Sequence, residues 1–148
     1  MTPTIAGRES NSYLFSVRNA IVKLKNVKLD ASRVANALQI LKNSTVELIN
    51  CTISNGESTD GRGIVVNSGA SVLIDGCNFT GLHVAVCCYP GSQVCIKNSN
   101  MKNCVFGIEV CGCFYFILIL ANYFLFFLKI KLLLFFLMFR HMKALISK

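Results

Sequence analysis

A spacing pattern typical of β-strands recurs four times along the chain, and this repetition constrains the fold more than any other feature of the sequence. The repeated positions are Val22, Leu24, Val27 and Leu29, then Val46, Leu48, Cys51 and Ile53, then Val72, Ile74, Cys77 and Phe79, and finally Val94, Ile96, Ser99 and Met101. Successive copies are offset by 24, 26 and 22 residues. Another pair lies eight and six residues before each copy: Leu14 and Ser16, Leu38 and Ile40, Ile64 and Val66, and Val86 and Cys88. Alternation with a period of two indicates strands with one buried face, so each repeat is predicted to hold three short strands.

Three short strands in each repeat of 22–26 residues predict an all-β fold, a parallel β-helix of about four coils. Every strand would pair with its copy one coil further on, about 4.8 Å away. The coils are expected over residues 13–112, after a lead-in at 1–12 and before an apolar tail at 113–148. The predicted core positions are Val46, Leu48, Cys51, Ile53, Ile64, Val66, Val72, Ile74, Cys77, Phe79, Val86, Cys88, Val94, Ile96 and Met101.

The turn between the second and third strands of each coil has its own repeat. Its equivalent positions are Asn26, Asn50, Gly76 and Asn98. Glycine and asparagine are the residues that most readily accept a left-handed backbone conformation. We therefore predict a structural ladder of left-handed turns, in which stacked asparagine amides can also hydrogen-bond along the axis.

The repeats resemble the right-handed parallel β-helix repeats of the pectin-lyase-like superfamily, which includes polysaccharide-active enzymes and non-enzymatic eukaryotic proteins. This resemblance covers Leu14 to Val110 and implies right-handed coils. Within the class, the hexapeptide Tyr89-Pro90-Gly91-Ser92-Gln93-Val94 is similar to the C-terminal β-helix of the Shc-binding, spindle-associated proteins related to Nessun dorma. That likeness implies an intracellular module with affinity for a protein or a glycan.

The eight cysteines do not predict a disulfide framework. The register places Cys51, Cys77 and Cys88 in the core, and it points Cys87 and Cys95 outward. Stacked side chains about 4.8 Å apart are wider than the usual Cβ separation of a disulfide, about 3.8 Å. Unpaired thiols favour a reducing compartment, and no secretion signal opens the sequence, so a cytoplasmic protein is expected.

A zinc site is the alternative use of these thiols. Its candidate ligands are His83, Cys87, Cys88, Cys104, Cys111 and Cys113. Their spacings match none of the usual zinc ligand pairs, so we expect neither a metal nor a cofactor.

The charged residues predict neither nucleic-acid binding nor catalysis. Before the tail, ten basic residues face seven acidic ones, a net charge of +3 that lacks the dense basic surface nucleic acid needs. The acids are Glu9, Asp30, Glu47, Glu57, Asp60, Asp75 and Glu109. They form no recognisable cluster for calcium-dependent lysis or glycoside hydrolysis, and Asp60 with Arg62 is interpreted as a surface salt bridge. We therefore predict no catalytic residues.

The outer faces of the sheets are the remaining candidates for function. The row Gln39, Val65, Cys87 and Glu109 is mixed, whereas the row Lys28, Thr52, Asn78 and Asn100 is polar and is the predicted binding row. We predict a non-catalytic interaction or scaffold module with a protein partner, in a chain that is a fragment of a larger protein. The alternatives are a glycan-binding module and a fragment of a polysaccharide lyase or glycoside hydrolase whose catalytic coils lie elsewhere.

The tail has three interpretations. Residues 114–139 are apolar except for Asn122, Lys129 and Lys131, which suggests a membrane anchor. Each lysine would cost about 2.5 to 3.5 kcal/mol at the centre of a span, which argues against it. Read-through into non-coding sequence, or a truncated gene, would also produce such a segment, and so would a helix or strand that caps the open end of the solenoid. The composition of the tail favours a helix.

Overall fold

The computed structural model is a solenoid in which three parallel sheets run side by side along one axis. It describes residues 1–6, 12–32, 36–56 and 61–111, together with the backbone of two strands at 117–121 and 130–132. The prediction of an all-β solenoid of about four coils is confirmed.

Each coil contributes one strand to each sheet, and the sheets are named here in chain order within a coil. Sheet 1 contains β2 (Tyr13–Val17), β5 (Asn36–Ile40), β8 (Arg62–Val66), β11 (Val84–Cys88), β14 (Phe106–Val110) and β16 (Ile130–Leu132). Sheet 2 contains β3 (Ile21–Lys25), β6 (Thr45–Ile49), β9 (Ser71–Asp75), β12 (Gln93–Lys97) and β15 (Ile117–Ala121). Sheet 3 contains β1 (Thr4–Ala6), β4 (Lys28–Asp30), β7 (Thr52–Ser54), β10 (Asn78–Thr80) and β13 (Asn100–Lys102).

The register of sheets 2 and 3 follows the sequence repeat. Val46 pairs with Val22 on one side and with Val72 on the other, and Val72 pairs in turn with Val94. The third strands pair in the same order through Leu29, Ile53, Phe79 and Met101. The alternation of apolar residues was therefore sufficient to align these strands.

The predicted register of the first strand was wrong by one residue at β2. Leu38 pairs with Phe15 rather than with Leu14, and Ile40 pairs with Val17 rather than with Ser16. Three residues connect β2 to β3, whereas four connect β5 to β6. The fixed spacing of eight and six residues before each copy therefore selects positions in β2 that are one residue too early. A slip of one residue exchanges the two faces of a strand, which is why Val17 is buried and Ser16 is exposed.

The turns after the second strands have the left-handed backbone that the ladder requires. Asn26, Asn50, Gly76 and Asn98 have φ angles of 55°, 50°, 64° and 51°. The axial hydrogen bonds at these turns join backbone groups: the N–H of Asn26 donates to the carbonyl of Ile49 at 3.0 Å, and the N–H of Asn50 to that of Asp75 at 2.9 Å. The side-chain amide of Asn98 donates instead to Oδ1 of Asp75 at 3.0 Å.

Apolar side chains from all three sheets fill the interior of the solenoid. Every predicted core position is buried except Met101, which is half-buried. Met101 lies on β13, the last strand of sheet 3 in the described part of the chain. The core also holds a polar column: the backbone N–H of Cys77 donates to Oγ of Ser99 at 3.0 Å, and that of Cys51 contacts Sγ of Cys77 at 3.4 Å.

Strands also lie outside the predicted coil boundaries. β1 falls within the lead-in and pairs with β4, while β15 and β16 fall within the tail and pair with β12 and β14. The predicted helix is thus replaced by strands at 117–121 and 130–132, and the other tail residues lie outside the described part of the chain. Within the described residues no helix has the length and apolar composition needed to cross a bilayer.

Candidate functional site

The outer face of sheet 3 is a polar strip two residues wide, and it contains the predicted binding row. Thr4 pairs with Lys28, and the row continues through Thr52, Asn78 and Asn100. The Asn78 and Asn100 side chains are exposed, and Nδ2 of Asn100 donates to Oδ1 of Asn78 at 3.3 Å. The strand spacing of about 4.8 Å sets the distance between successive members of the row.

A second row completes the strip, because residues two apart on a strand share a face. Its members in register are Asp30, Ser54, Thr80 and Lys102. Nζ of Lys28 lies 3.6 Å from Oδ2 of Asp30. Burial alone would raise the pKa of Asp30, but hydrogen bonds from Ser32 and the charge of Lys28 hold it below its ordinary value. The strip therefore offers amides, the hydroxyls of Thr52 and Thr80, one balanced ion pair and the ammonium of Lys102, whereas Ser54 is buried.

The outer face of sheet 2 carries two separate carboxylates. Glu47 on β6 forms an ion pair with Lys23 of the neighbouring coil at 2.9 Å. Asp75 on β9 lies 3.3 Å from Nζ of Lys97. The hydrogen bond from Asn98 is the main reason that the pKa of Asp75 lies below its ordinary value. Burial opposes this effect, and Lys97 adds to it. Both carboxylates are therefore held by basic residues in adjacent coils.

A shallow depression also lies on sheet 2. It encloses about 200 Å³ and is lined by Thr45, Ser71, Val72, Leu73, Gln93, Val94 and Cys95. Ligand pockets usually enclose roughly 300 to 1,000 Å³, so this depression is too small to be the principal site.

The outer face of sheet 1 holds a second apolar cluster, separate from the core. Val65, Val84 and Cys87 are buried there, although the row that contains Cys87 faces away from the solenoid interior. Tyr13, Tyr89, Phe106 and Cys111 pack against them. The ring of Phe106 also makes an edge-on contact with His83, with the ring centroids 5.5 Å apart. The outward orientation predicted for Cys87 therefore does not mean exposure.

Charged and thiol groups meet at the edge of this cluster. Sγ of Cys87 and Sγ of Cys111 are 3.6 Å apart, and Nη2 of Arg62 lies 3.7 Å from Oε2 of Glu109. One ligand atom from each of Cys87, Glu109 and Cys111 lies within 4.8 Å of the other two. Burial raises the pKa of Cys87 well above its ordinary value, and the neighbouring Cys111 raises it further.

This arrangement differs from both sequence-based interpretations of its members. Arg62 forms an ion pair with Glu109, whereas its predicted partner Asp60 lies outside the described residues. Of the predicted zinc ligands, only Cys87 and Cys111 meet in the described part of the chain. Cys88 points into the core, and Cys113 lies outside the described residues. Glu109 was missed as a neighbour of the thiols, although the register that aligns it with Cys87 was visible in the sequence.

Comparison with known proteins gives one family. The family model described as a right handed beta helix region matches residues 13–125. No curated protein and no solved structure matches the chain. The matched segment starts at the first residue of β2 and extends past β15.

Proposed function

We propose that this chain is a non-catalytic binding module whose polar strip on sheet 3 binds an extended glycan. The chain belongs to the right-handed β-helix family. The observation that carries this proposal is the strip itself. Exposed amides at Asn78 and Asn100 stand one coil apart, beside the hydroxyl of Thr52 and the ammonium of Lys28. Amides and hydroxyls both donate and accept hydrogen bonds, as sugar hydroxyl groups do.

The composition of the strip favours a glycan over a protein. Protein interfaces depend on a few large apolar or aromatic side chains that become fully buried. The described positions of the two rows contain only Lys, Asp, Thr, Ser and Asn from Lys28 onward. The paired charges of Lys28 and Asp30 leave Lys102 as the added charge, which suits a neutral or weakly acidic chain. A protein partner, the prediction from the sequence, is the second outcome that the experiment distinguishes.

The arrangement of the carboxylates supports a binding role without catalysis. Asp30 lies on sheet 3, Glu47 and Asp75 on sheet 2, and Glu109 on sheet 1. Each of these four described carboxylates has a basic residue within 4.0 Å. Glycoside hydrolysis requires two carboxyl groups that face one bond, and calcium-dependent cleavage requires several carboxylates at one ion.

The hexapeptide that resembles the Shc-binding branch has a structural explanation. Tyr89, Pro90, Gly91 and Ser92 connect β11 to β12, and the N–H of Ser92 donates to the carbonyl of Tyr89 at 3.1 Å. Gly91 has a φ of 74°, which a turn with proline before glycine requires. These residues are thus accounted for by turn geometry, and the likeness to that branch adds no support for a particular partner.

The test is binding of the full chain to an array of neutral and acidic glycans, followed by calorimetry with the best ligand. Asn78→Ala and Asn100→Ala should each weaken binding by about fivefold to tenfold, the effect of losing a hydrogen bond of about 1 kcal/mol. Gln93→Ala, an exposed change on sheet 2, is the matched control and should bind normally.

Three outcomes would contradict the proposal. Glycan binding that survives both asparagine changes would place the site elsewhere. Selection of peptides rather than glycans, with loss in the same two variants, would assign the strip to a protein partner. Release of new reducing ends or unsaturated sugars on long incubation would show that the chain is an enzyme.

A further inference from the structure

The cluster on sheet 1 brings two thiols and a carboxylate together from neighbouring coils. Cys87 on β11 pairs in register with Glu109 on β14. The N–H of Cys111 donates to the carbonyl of Cys88 at 2.8 Å, so the ladder between these strands continues to residue 111. Cys111 thereby follows Glu109 by two residues on a continued strand and faces the same side as Glu109.

We propose that Cys87, Glu109 and Cys111 form a zinc-binding site. Two Zn–S bonds of about 2.3 Å at the tetrahedral angle put the sulfur atoms about 3.8 Å apart. The observed Sγ to Sγ distance is 3.6 Å, and the carboxylate oxygen lies within 4.8 Å of both sulfur atoms. The three ligands are therefore already near the positions that one tetrahedral ion requires.

The donor set selects zinc among the metals that thiolates bind. Two thiolates suit Zn²⁺ or Cu(I), whereas a carboxylate is a hard ligand that suits Zn²⁺ better than Cu(I). Ca²⁺ and Mg²⁺ prefer oxygen ligands alone and are excluded by the sulfur atoms. Three protein ligands leave a fourth position for water.

Charge supports the same assignment. Two thiolates and the Glu109 carboxylate carry three negative charges, and a divalent ion with the guanidinium of Arg62 carries three positive charges. Arg62 lies 3.7 Å from Oε2 of Glu109, and because a carboxylate has two oxygens it can face both cations. Cys87 and Glu109 are buried, and a buried set of charges is stable only when it is balanced.

The site would tie the fourth coil to the strand that begins the next one. Its ligands come from β11 and from the end of β14, which are separated in the chain by β12, β13 and three connecting segments. A metal bound to the folded chain stabilises the fold by mass action, so zinc should raise the thermal stability of this end of the solenoid.

The experiment uses the full chain, reduced and stripped of metal with a chelator, and titrates it with Co²⁺ and then Zn²⁺. We expect one equivalent of Co²⁺ to bind with thiolate-to-metal charge-transfer absorption and the visible bands of tetrahedral cobalt, and Zn²⁺ to displace it. Because zinc binds thiolates and displaces their protons, acidification should weaken the binding.

Matched variants assign the ligands. Cys87→Val should fold, since Val65 occupies the same row one coil earlier, and it should weaken binding by more than about a hundredfold. Cys111→Ser should do the same, and Glu109→Gln should weaken binding while the charge-transfer absorption remains. Cys95→Ser, on sheet 2, should bind like the native chain.

Two results would overturn the proposal. One is cobalt binding without thiolate absorption, or with full affinity in folded Cys87→Val, which would show an adventitious ion only. The other is a reduced chain that binds no zinc and instead forms a Cys87–Cys111 disulfide with oxidised glutathione. That exchange would move two electrons and both thiol hydrogens to glutathione and bring the sulfur atoms from 3.6 Å to about 2.05 Å.

Discussion

Asn50 lies directly over Gly76 of the next coil, and its Oδ1 occupies the space that a Cβ atom on Gly76 would need. The two residues hold equivalent turns, with φ angles of 50° and 64°. The N–H of Asn50 donates to the carbonyl of Asp75, so the axial hydrogen bonds hold the two turns close. The Asn50 side chain therefore excludes a Cβ atom at position 76, and these two positions are coupled.

The first prediction tests this coupling. Gly76→Asn should lower the free energy of unfolding by about 2 kcal/mol, because the new side chain would overlap the Asn50 amide. Asn50→Gly alone should cost less, and the double variant Asn50→Gly with Gly76→Asn should recover most of the loss. Urea unfolding followed by circular dichroism measures all three. Additive costs in the double variant would show that the two turns are independent.

A second prediction concerns the polar column inside the core. Ser99→Ala leaves the backbone N–H of Cys77 buried without its acceptor at 3.0 Å, and should cost about 1 to 3 kcal/mol of unfolding free energy. Ser99→Cys should cost less, because sulfur already accepts the N–H of Cys51 one coil earlier. Ser68→Ala, an exposed change, is the control for urea unfolding. Equal stability of the alanine and cysteine variants would mean that this hydrogen bond contributes little.

The third prediction concerns the pKa of Asp75. Asn98→Gly accepts the same left-handed backbone but removes the amide that donates to Oδ1, so the pKa of Asp75 should rise towards its ordinary value of 3.8. Because the folded pKa is lowered, the contribution of Asp75 to stability is present above pH 3.8 and is lost as the pH falls below it. Carboxyl chemical shifts in an NMR titration report the change. Asn43→Gly, in a turn before a second strand, should leave the titration of Asp75 as it is.

The fourth prediction concerns stability at high pH. Burial raises the pKa of Cys77 to about 11 and that of Cys88 to about 12, from an ordinary value of 9.0. Above pH 9 these thiols are deprotonated in the unfolded chain but still protonated in the folded chain. The free energy of unfolding should therefore fall as the pH rises, by about 1.4 kcal/mol per pH unit for each thiol. This loss should continue up to the folded pKa of each thiol.

Cys88→Val isolates one of these thiols. Val66 and Val110 occupy the same row in the neighbouring coils, so valine should fit the site. Urea unfolding of chelator-treated protein between pH 8 and pH 11 should show a shallower decline for the variant than for the native chain. Identical declines would rule out Cys88 as a source of the pH dependence.

Local rules account for the parts of the fold that could be predicted. The partners of Val46 and Val72 followed from alternation along each strand, and the left-handed turns followed from the preference of Asn and Gly for positive φ. The register at β2 could not be obtained in this way. It depends on the length of one turn, three residues instead of four, which no alternation within the strand reveals.

The sequence by itself determined that the chain stacks into a parallel β-helix, because strand period and turn conformation are properties of neighbouring residues. Only the tertiary structure decided which reactive groups meet. Cys87 and Cys111 are 24 residues apart in the chain and 3.6 Å apart at their sulfur atoms, and Arg62 reaches Glu109 across two coils. Ligand spacing along the chain did not reveal that Cys87, Glu109 and Cys111 meet, because a solenoid brings residues together at its own period, about one coil, rather than at the short intervals of a single loop.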